Sequence, residues 1–222
     1  MKKIIVISPH PDDETLGCGG TILKHNEDGD SVYWLIMTNT LIEEGYDELT
    51  VKTRQKEIEN VASNYQFKNI YRLDFPTTKL DVIPRGQLVK AVSNVIDKVV
   101  PEVVYLPNRN DAHSDHKITF DTGISSAKTF NCPFIKRLLA YEVVSETEFS
   151  PPFQNSVFIP NSFSDISEYL ERKISIMKLY KGEMKEHPFP RSEDNLRALA
   201  TFSGATAGVK YAEAFMGLKE IW

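Results

Sequence analysis

The sequence has few of the features that mark secreted, membrane or nucleic-acid-binding proteins. It contains two cysteines, Cys18 and Cys132, which are too few for a disulfide scaffold, and we interpret them as reduced thiols. No apolar run is long enough to span a bilayer, and the segment IIVI after Lys2 and Lys3 is too short for the core of a signal peptide. The formal net charge of −5 argues against nucleic acid or an anionic membrane as a main partner. We therefore expect a cytoplasmic protein that neither inserts into membranes nor binds nucleic acid.

The residues that are present indicate one α/β domain. The chain has 222 residues, and 41% of them are hydrophobic, which is enough for a core. Apolar, β-branched segments alternate with segments of helical periodicity, and this alternation is typical of a Rossmann-like, doubly wound, mostly parallel sheet with helices on both faces. No repeat or low-complexity linker divides the sequence. Residues 1–222 are therefore predicted to form a single domain, with a less regular portion from about residue 145.

The periodicity predicts where the elements lie along the chain. Strands are predicted at residues 2–8, 31–38, 69–75, 102–107 and 137–144. Helices are predicted at residues 15–26, 50–65, 88–99, 116–128 and 164–180, with a further helix after Pro190.

Two polar segments, HPDDE (10–14) and NDAHSDH (110–116), follow the first and fourth predicted strands. The commonest doubly wound order places these two strands side by side, and ligands bind at the carboxyl ends of strands at this switch point. The two segments are therefore predicted to meet in one crevice, although they are about a hundred residues apart.

Together the two segments have the side chains of a metal centre. A catalytic zinc ion takes three ligands from His and carboxylate groups and keeps one position open. Residues with spacing suited to this are His10, Asp13, His113, Asp115 and His116. Asp12 is not needed as a ligand, and a carboxylate beside a metal centre is well placed as a general base.

The same residues resemble a known family. PHPDDE and HSDH are similar to the (A/P)HPDDE and HxDH motifs of the PIG-L/LmbE-like zinc deacetylases, which remove N-acetyl groups from glucosamine-containing substrates. The pair Arg54 and Glu57 resembles the R-x-x-E helix of that family, and GVKYAEAF (208–215) resembles its closing segment. The resemblance implies that His10, Asp13 and His116 bind Zn²⁺, or another divalent metal such as Fe²⁺. It also implies that Asp12 is the general base that takes a proton from the attacking water.

The resemblance implies further roles and partners. His113 would stabilise the oxyanion, while Asp115 would orient His113 and favour its charged form. Arg54 would contact sugar hydroxyls. The implied partner is a small N-acetylated amino-sugar conjugate, and the implied assembly is a homo-oligomer, either a trimer or a hexamer. Two stretches depart from the family pattern, TNTLIEEGYDE (38–48) and FSGATAG (202–208), and both are expected to shape the sugar pocket.

Each motif also has an ordinary structural interpretation. HPDDE could be a helix N-cap with acids favoured by the helix dipole, and HSDH a solvated loop. GCGG (17–20) is interpreted as close packing of the first helix on the sheet rather than dinucleotide binding, because the neighbouring acids would repel a pyrophosphate. Arg54 could be a surface partner of Glu57 or Glu59.

Two more residues and two more functions stay open. His187 and Arg191 are interpreted as loop residues, with lining of the pocket as the alternative. A site of two histidines and a carboxylate could also hold iron(II) for oxygen chemistry. The chain could instead be a non-catalytic module that binds a sugar or a nucleotide.

Overall fold

The protein, described by a computed structural model over residues 1–153 and 157–222, is built on a seven-stranded sheet. The strands are β1 (Lys3–Ser8), β2 (Ser31–Asn39), β3 (Asn69–Pro76), β4 (Val103–Pro107), β5 (Arg137–Tyr141), β6 (Ser162–Asp165) and β7 (Ala212–Glu220). The helices are α1 (Asp13–Glu27), α2 (Glu48–Tyr65), α3 (Arg85–Val99), α4 (Ser114–Ser126), α5 (Leu170–Met177) and α6 (Glu193–Ala207).

The strand order is β3-β2-β1-β4-β5-β7-β6, with β1 to β5 parallel and β7 antiparallel to both of its neighbours. This order confirms the predicted doubly wound α/β fold. It also confirms that the fourth strand lies beside the first. Within the described residues, none of the helices is long and apolar enough to cross a membrane.

The central strand β1 forms because its side chains fill two cores at once. Ile4 and Val6 point into the core beneath α1, α2, α5 and α6, whereas Ile5 and Ile7 point into the core beneath α3 and α4. All four side chains are fully buried. Burial of an aliphatic side chain of this size stabilises the folded state by about 1.5–3 kcal/mol. The period of two along the strand therefore fixes which face each residue takes.

Helix α1 packs against the sheet as closely as its glycines allow. A methyl group on Gly17 would overlap the ring of Tyr141, and one on Gly20 would overlap Ile166. The GCGG segment thus lies in the close packing of the first helix, as predicted. The close approach places the N-terminus of α1, which carries the HPDDE motif, directly over the carboxyl end of β1.

Several predicted boundaries differ from the structure. Helix α4 begins at Ser114, two residues before the predicted start at His116, because His113 caps it. The helix predicted at 164–180 is α5, which spans only Leu170–Met177, and β6 occupies the beginning of that stretch. The sequence pattern missed both β6 and β7 as strands. The less regular portion predicted from about residue 145 includes 154–156, which lie outside the described residues.

Candidate metal centre and substrate cleft

The two polar segments meet at the switch point of the sheet, where β1 lies between β2 and β4. HPDDE turns from the end of β1 into α1, and NDAHSDH leads from β4 into α4. Both helix N-termini therefore lie at the same edge of the sheet, and the crevice predicted from the sequence is present.

Three side chains converge at the bottom of this crevice. The ligand atoms of His10, Asp13 and His116 all lie within 4.8 Å of one another. Asp13 Oδ2 lies 3.3 Å from His10 Nδ1 and 3.4 Å from His116 Nε2. Two histidines and one carboxylate are the donor set that Zn²⁺ and Fe²⁺ take in catalytic sites.

The carboxylate at the centre of this group has a free oxygen. Asp13 Oδ1 is buried and has no hydrogen-bond partner among the described residues. A buried acceptor without a partner is unfavourable, and a bound cation would remove that penalty. Burial alone would raise the pKa of Asp13, but the nearby His116 and His10 hold it well below its usual range. The residues at this position therefore fit a divalent metal ion.

Asp111 orients the ring of His116 through a contact with Nδ1. Its Oδ2 lies 2.8 Å from His116 Nδ1, which leaves Nε2 directed at Asp13. Asn108 and Thr147 donate hydrogen bonds to the other oxygen of Asp111 at 2.8 and 2.7 Å. A histidine held by a buried carboxylate in this way is typical of metal sites. The sequence analysis assigned no role to Asp111, although it is part of the quoted segment.

A second group shares His10, but its carboxylate is already occupied. The ligand atoms of His10, His113 and Asp115 also lie within 4.8 Å of one another. Asp115, however, accepts hydrogen bonds from the backbone N–H groups of Thr78 at 2.7 Å and Leu80 at 3.1 Å, one at each oxygen. The group with Asp13, which keeps one oxygen unpaired, is therefore the better metal centre.

The contacts of Asp115 differ from the expectation. Its carboxylate lies 3.1 Å from His10 Nε2, and its backbone N–H donates to His113 Nδ1 at 3.1 Å. His113 caps α4 with its ring, so the Asp115 carboxylate turns towards His10 rather than towards the ring it was expected to orient. Burial, with repulsion from His10 and His116, lowers the pKa of His113, although the negative charge of Asp115 acts to raise it. The charged form of His113 stays a prediction.

Asp12 has a strained backbone and a buried side chain. Its φ of 128° lies in a region that residues other than glycine rarely adopt, and such strain is concentrated at functional sites. Burial and then repulsion from Asp13 raise the pKa of Asp12 to about 8, against the opposing effect of Arg191. Arg191 Nη1 donates to Asp12 Oδ2 at 2.7 Å. A carboxylate with a pKa near neutrality can both accept and return a proton.

Glu14, the third acid of HPDDE, supports the turn. One oxygen accepts from the Asp12 backbone N–H at 3.0 Å. The other accepts from the hydroxyls of Thr15 and Tyr180 at 2.6 and 2.8 Å. Burial raises the pKa of Glu14 to about 7. Glu14 therefore stabilises the conformation that presents Asp12 and Asp13.

A cleft of about 350 Å³ opens above these residues, and His10, Asp12 and His113 line its base. Arg54 lines one wall and ion-pairs with Glu57 at 3.4 Å, so its predicted pocket position and its predicted surface pair both occur. Arg191 also lines the cleft. His187 instead lines a separate surface hollow beside Lys178.

The two stretches that depart from the family pattern have different positions. The first, residues 38–48, contributes Thr38, Asn39, Thr40 and Tyr46 to the cleft. The stretch 202–208 lies at the end of α6 and at its C-cap, and no residue of it lines the cleft. Phe202 lines a larger, mostly apolar groove of about 600 Å³. The expectation that FSGATAG shapes the sugar pocket is therefore wrong.

Comparison with known proteins identifies the family. Residues 5–127 match the family described as PIG-L, GlcNAc-PI de-N-acetylase. The chain belongs to this family. The matched segment contains both motifs and stops at the end of α4.

Similar proteins extend the match over nearly the whole chain. Diacetylchitobiose deacetylase of Thermococcus kodakarensis is 28% identical over 96% of this chain and 82% of its own. The structure of N,N′-diacetylchitobiose deacetylase from Pyrococcus horikoshii is 26% identical, with a TM-score of 0.79 over 98% of this chain and 84% of its own. GalB, the 4-carboxy-2-hydroxymuconate hydratase from Pseudomonas putida KT2440, is 18% identical over 100% of this chain and 98% of its own, with a TM-score of 0.76. At 18% identity, this last likeness shows the fold alone.

Proposed function

We propose that the protein is a metal-dependent hydrolase that removes the N-acetyl group from an N-acetylglucosamine-type sugar conjugate. The observation that carries the proposal is the convergence of His10, Asp13 and His116 within 4.8 Å, next to a cleft that His10, Asp12 and His113 line. Membership of the PIG-L family and similarity to two diacetylchitobiose deacetylases over nearly the whole chain support this reaction.

The metal would be held by His10, Asp13 and His116, and Zn²⁺ is the ion we propose, with Fe²⁺ as the alternative. When bound, such an ion supplies a Lewis acid that polarises the amide carbonyl and makes water more acidic. Amides are poor electrophiles, so the remaining groups must move protons and stabilise the developing negative charge.

Asp12 would be the residue that moves the proton. Its carboxylate lies at the base of the cleft beside Asp13, and its pKa of about 8 suits a group that works in both directions. Asp12 takes a proton from the attacking water as the water oxygen bonds to the acetyl carbon. It then gives that proton to the amine nitrogen as the C–N bond breaks, which releases acetate and the free amino sugar.

His113 would donate a hydrogen bond to the oxyanion. Its Nδ1 accepts from the Asp115 backbone N–H, so the proton of the neutral ring is on Nε2. A neutral ring with a proton on Nε2 can donate to a carbonyl oxygen that becomes negative. The direction in which burial shifts the pKa of His113 supports the neutral ring, and the charged form that the resemblance implies is the alternative. Arg54, on the cleft wall, would contact sugar hydroxyls.

Acetate release from a panel of N-acetylglucosamine conjugates tests the proposal directly. The purified protein is assayed before and after treatment with a chelator, and again after Zn²⁺ or Fe²⁺ is added back. We expect release that the chelator abolishes and the metal restores. Release that persists without metal, or no release from any conjugate, would overturn the proposed function. A dependence on oxygen would favour the iron(II) alternative.

The cytoplasmic location, which the composition led us to expect, and the homo-oligomeric assembly, which the resemblance implies as a trimer or hexamer, both stay proposals. Sedimentation of the purified protein measures the oligomeric state, and a monomer at working concentration would contradict the implied assembly.

A further inference from the structure

A chain of charged side chains crosses the wall of the cleft above the metal centre. Arg54 Nη2 donates to Glu183 Oε1 at 2.6 Å, and Arg191 Nη1 donates to Glu183 Oε2 at 2.9 Å. Glu183 thus joins two guanidinium groups from distant parts of the sequence, one on α2 and one just before α6. We call Arg54, Glu183 and Arg191 the charge bridge.

Other N–H groups of the charge bridge also have partners. Arg54 Nη1 donates to the Pro11 carbonyl at 3.3 Å and lies 3.4 Å from Glu57 Oε2. Arg191 Nε donates to Ser145 Oγ at 2.7 Å, and its Nη2 lies 3.8 Å from Glu146 Oε1. The side chains of Arg54 and Arg191 are only 20% and 15% exposed, so these contacts hold both guanidinium groups in place.

Among the described residues, this arrangement leaves the cleft without an Arg or Lys side chain that is free of a carboxylate and could pair with an anionic substrate. Arg54 and Arg191 are the only Lys or Arg side chains that line the cleft within the described residues, and each is hydrogen-bonded to a carboxylate. Glu146 and Glu183 also line the cleft. A phosphate or carboxylate group on a substrate would have to replace Glu183 or lie beside it, and like charges placed together oppose binding strongly.

Another part of the cleft lining is neutral and polar. It includes Asn39, Thr40, Tyr46, Thr50 and Thr77. Hydroxyl and amide groups of this kind recognise sugar hydroxyls without a net charge. One buried hydroxyl, Thr40 Oγ1, has no partner among the described residues. The polar lining and the charge bridge therefore both suit an uncharged carbohydrate.

We infer that the cleft selects uncharged N-acetylated sugars over N-acetylated sugars that carry a phosphate or carboxylate on the attached group, and that Glu183 sets this selection. The inference rests on the proposed deacetylase function. Glu183 determines specificity rather than chemistry, because its contacts are to Arg54 and Arg191 and not to the candidate metal ligands.

The test compares two substrates that share one acetamido sugar and differ in the group at the anomeric carbon, which is a neutral methoxy group in one and a charged phosphate in the other. These are the methyl glycoside of N-acetylglucosamine and N-acetylglucosamine 1-phosphate. A change in the metal centre or in Asp12 alters both rates together, so the ratio of their kcat/KM values reports recognition alone. We expect the wild type to favour the methyl glycoside by at least about tenfold, the size of one charged hydrogen bond.

The variant Glu183→Gln keeps the shape of the side chain and removes the negative charge that pairs with Arg54 Nη2 and Arg191 Nη1. We expect it to raise the relative kcat/KM for the phosphate at least about fivefold, with unchanged metal content. Glu186→Gln is the matched control, because it makes the same charge change on an exposed side chain of the same segment. The control is expected to keep the wild-type ratio.

The outcomes distinguish a failure of the inference from a failure of the proposed deacetylase function. A wild type that favours the phosphate, or a ratio in Glu183→Gln that equals the wild-type ratio, would overturn the inference and leave the deacetylase intact. Failure to release acetate from either sugar or from the wider panel would remove the proposed function, and the inference with it.

Discussion

The base and the wall of the cleft come from different parts of the chain and are built on different principles. The base is formed by two short motifs, HPDDE and HSDH, each directly after a parallel strand. The wall is closed by single residues, Glu183 and Arg191, on the segment between α5 and α6. The base is thus dictated locally by strand ends and helix starts. The wall depends on ion pairs between residues more than a hundred positions apart, such as Arg54 and Glu183.

This difference suggests that the base and the wall of the cleft have separate roles. The family match covers residues 5–127 and therefore contains the whole base, whereas Glu183 and Arg191 lie beyond it. We propose that the base determines the reaction and the wall determines the substrate. Substitutions at the base should then abolish metal binding or turnover, and substitutions at the wall should change KM or substrate preference.

The largest effect is expected from His116→Ala. Removal of this ring takes away one of three proposed metal ligands, so metal content and acetate release should fall together to background. Metal analysis of the purified variant, beside the turnover assay, measures both. His187→Ala, at an exposed histidine outside the cleft, is the control. A His116→Ala protein with a full metal complement would exclude the ligand role.

Asp12→Asn should separate chemistry from metal binding. The amide keeps the size of the carboxylate but cannot take a proton, and loss of a general base lowers turnover by roughly 10²–10⁴-fold. Metal content should stay at the wild-type value. Asp97→Asn is the control, because it makes the same chemical change at an exposed residue of α3. It should leave turnover unaltered. Near-normal turnover in Asp12→Asn would exclude Asp12 as the base.

Asp111→Asn tests the support behind the base. The substitution weakens the hydrogen bond at His116 Nδ1 and leaves the proposed ligand atom Nε2 unchanged. Loss of such a partner lowers metal affinity by about 10–100-fold. Metal titration of the chelated protein measures the affinity, and excess metal should restore most of the activity. An affinity equal to that of the wild type would show that Asp111 only stabilises the loop.

The smallest effect is expected at the wall. Arg54→Ala should raise KM by about tenfold, the contribution of one charged hydrogen bond, while metal content stays the same. Steady-state kinetics with the methyl glycoside gives KM and kcat separately. Arg172→Ala, which removes an exposed arginine from α5, is the control. If neither KM nor kcat changes in Arg54→Ala, the residue is only the structural partner of Glu57 and Glu183.

Sequence reasoning predicted the base well because its geometry is local. Strand periodicity located β1 and β4, and the parallel order then required His10 and His116 to meet. The roles of those residues stay predictions, since geometry alone does not test catalysis.

Strand β6, the cleft wall and the contacts of His113 depend on tertiary structure that the sequence pattern does not show. Strand β6, with the sequence SFSD, is a short polar edge strand. It forms by pairing with β7, and its own sequence has no strand pattern that could predict it. Glu183 and Arg191 lie in a segment without periodicity, and only the fold brings them to Arg54 and Asp12. The contact of the His113 ring with the Asp115 backbone was not foreseen because that ring caps α4, and a cap is set by where a helix begins.

The most direct measurement titrates Zn²⁺ into the chelated protein while acetate release from N,N′-diacetylchitobiose is followed, with His116→Ala measured alongside. The account predicts that release rises with added metal and saturates at about one ion per chain, as one three-ligand centre requires, while the variant stays at background. Release that is full before any metal is added, or an active variant, would contradict the claim that His10, Asp13 and His116 form a catalytic metal centre.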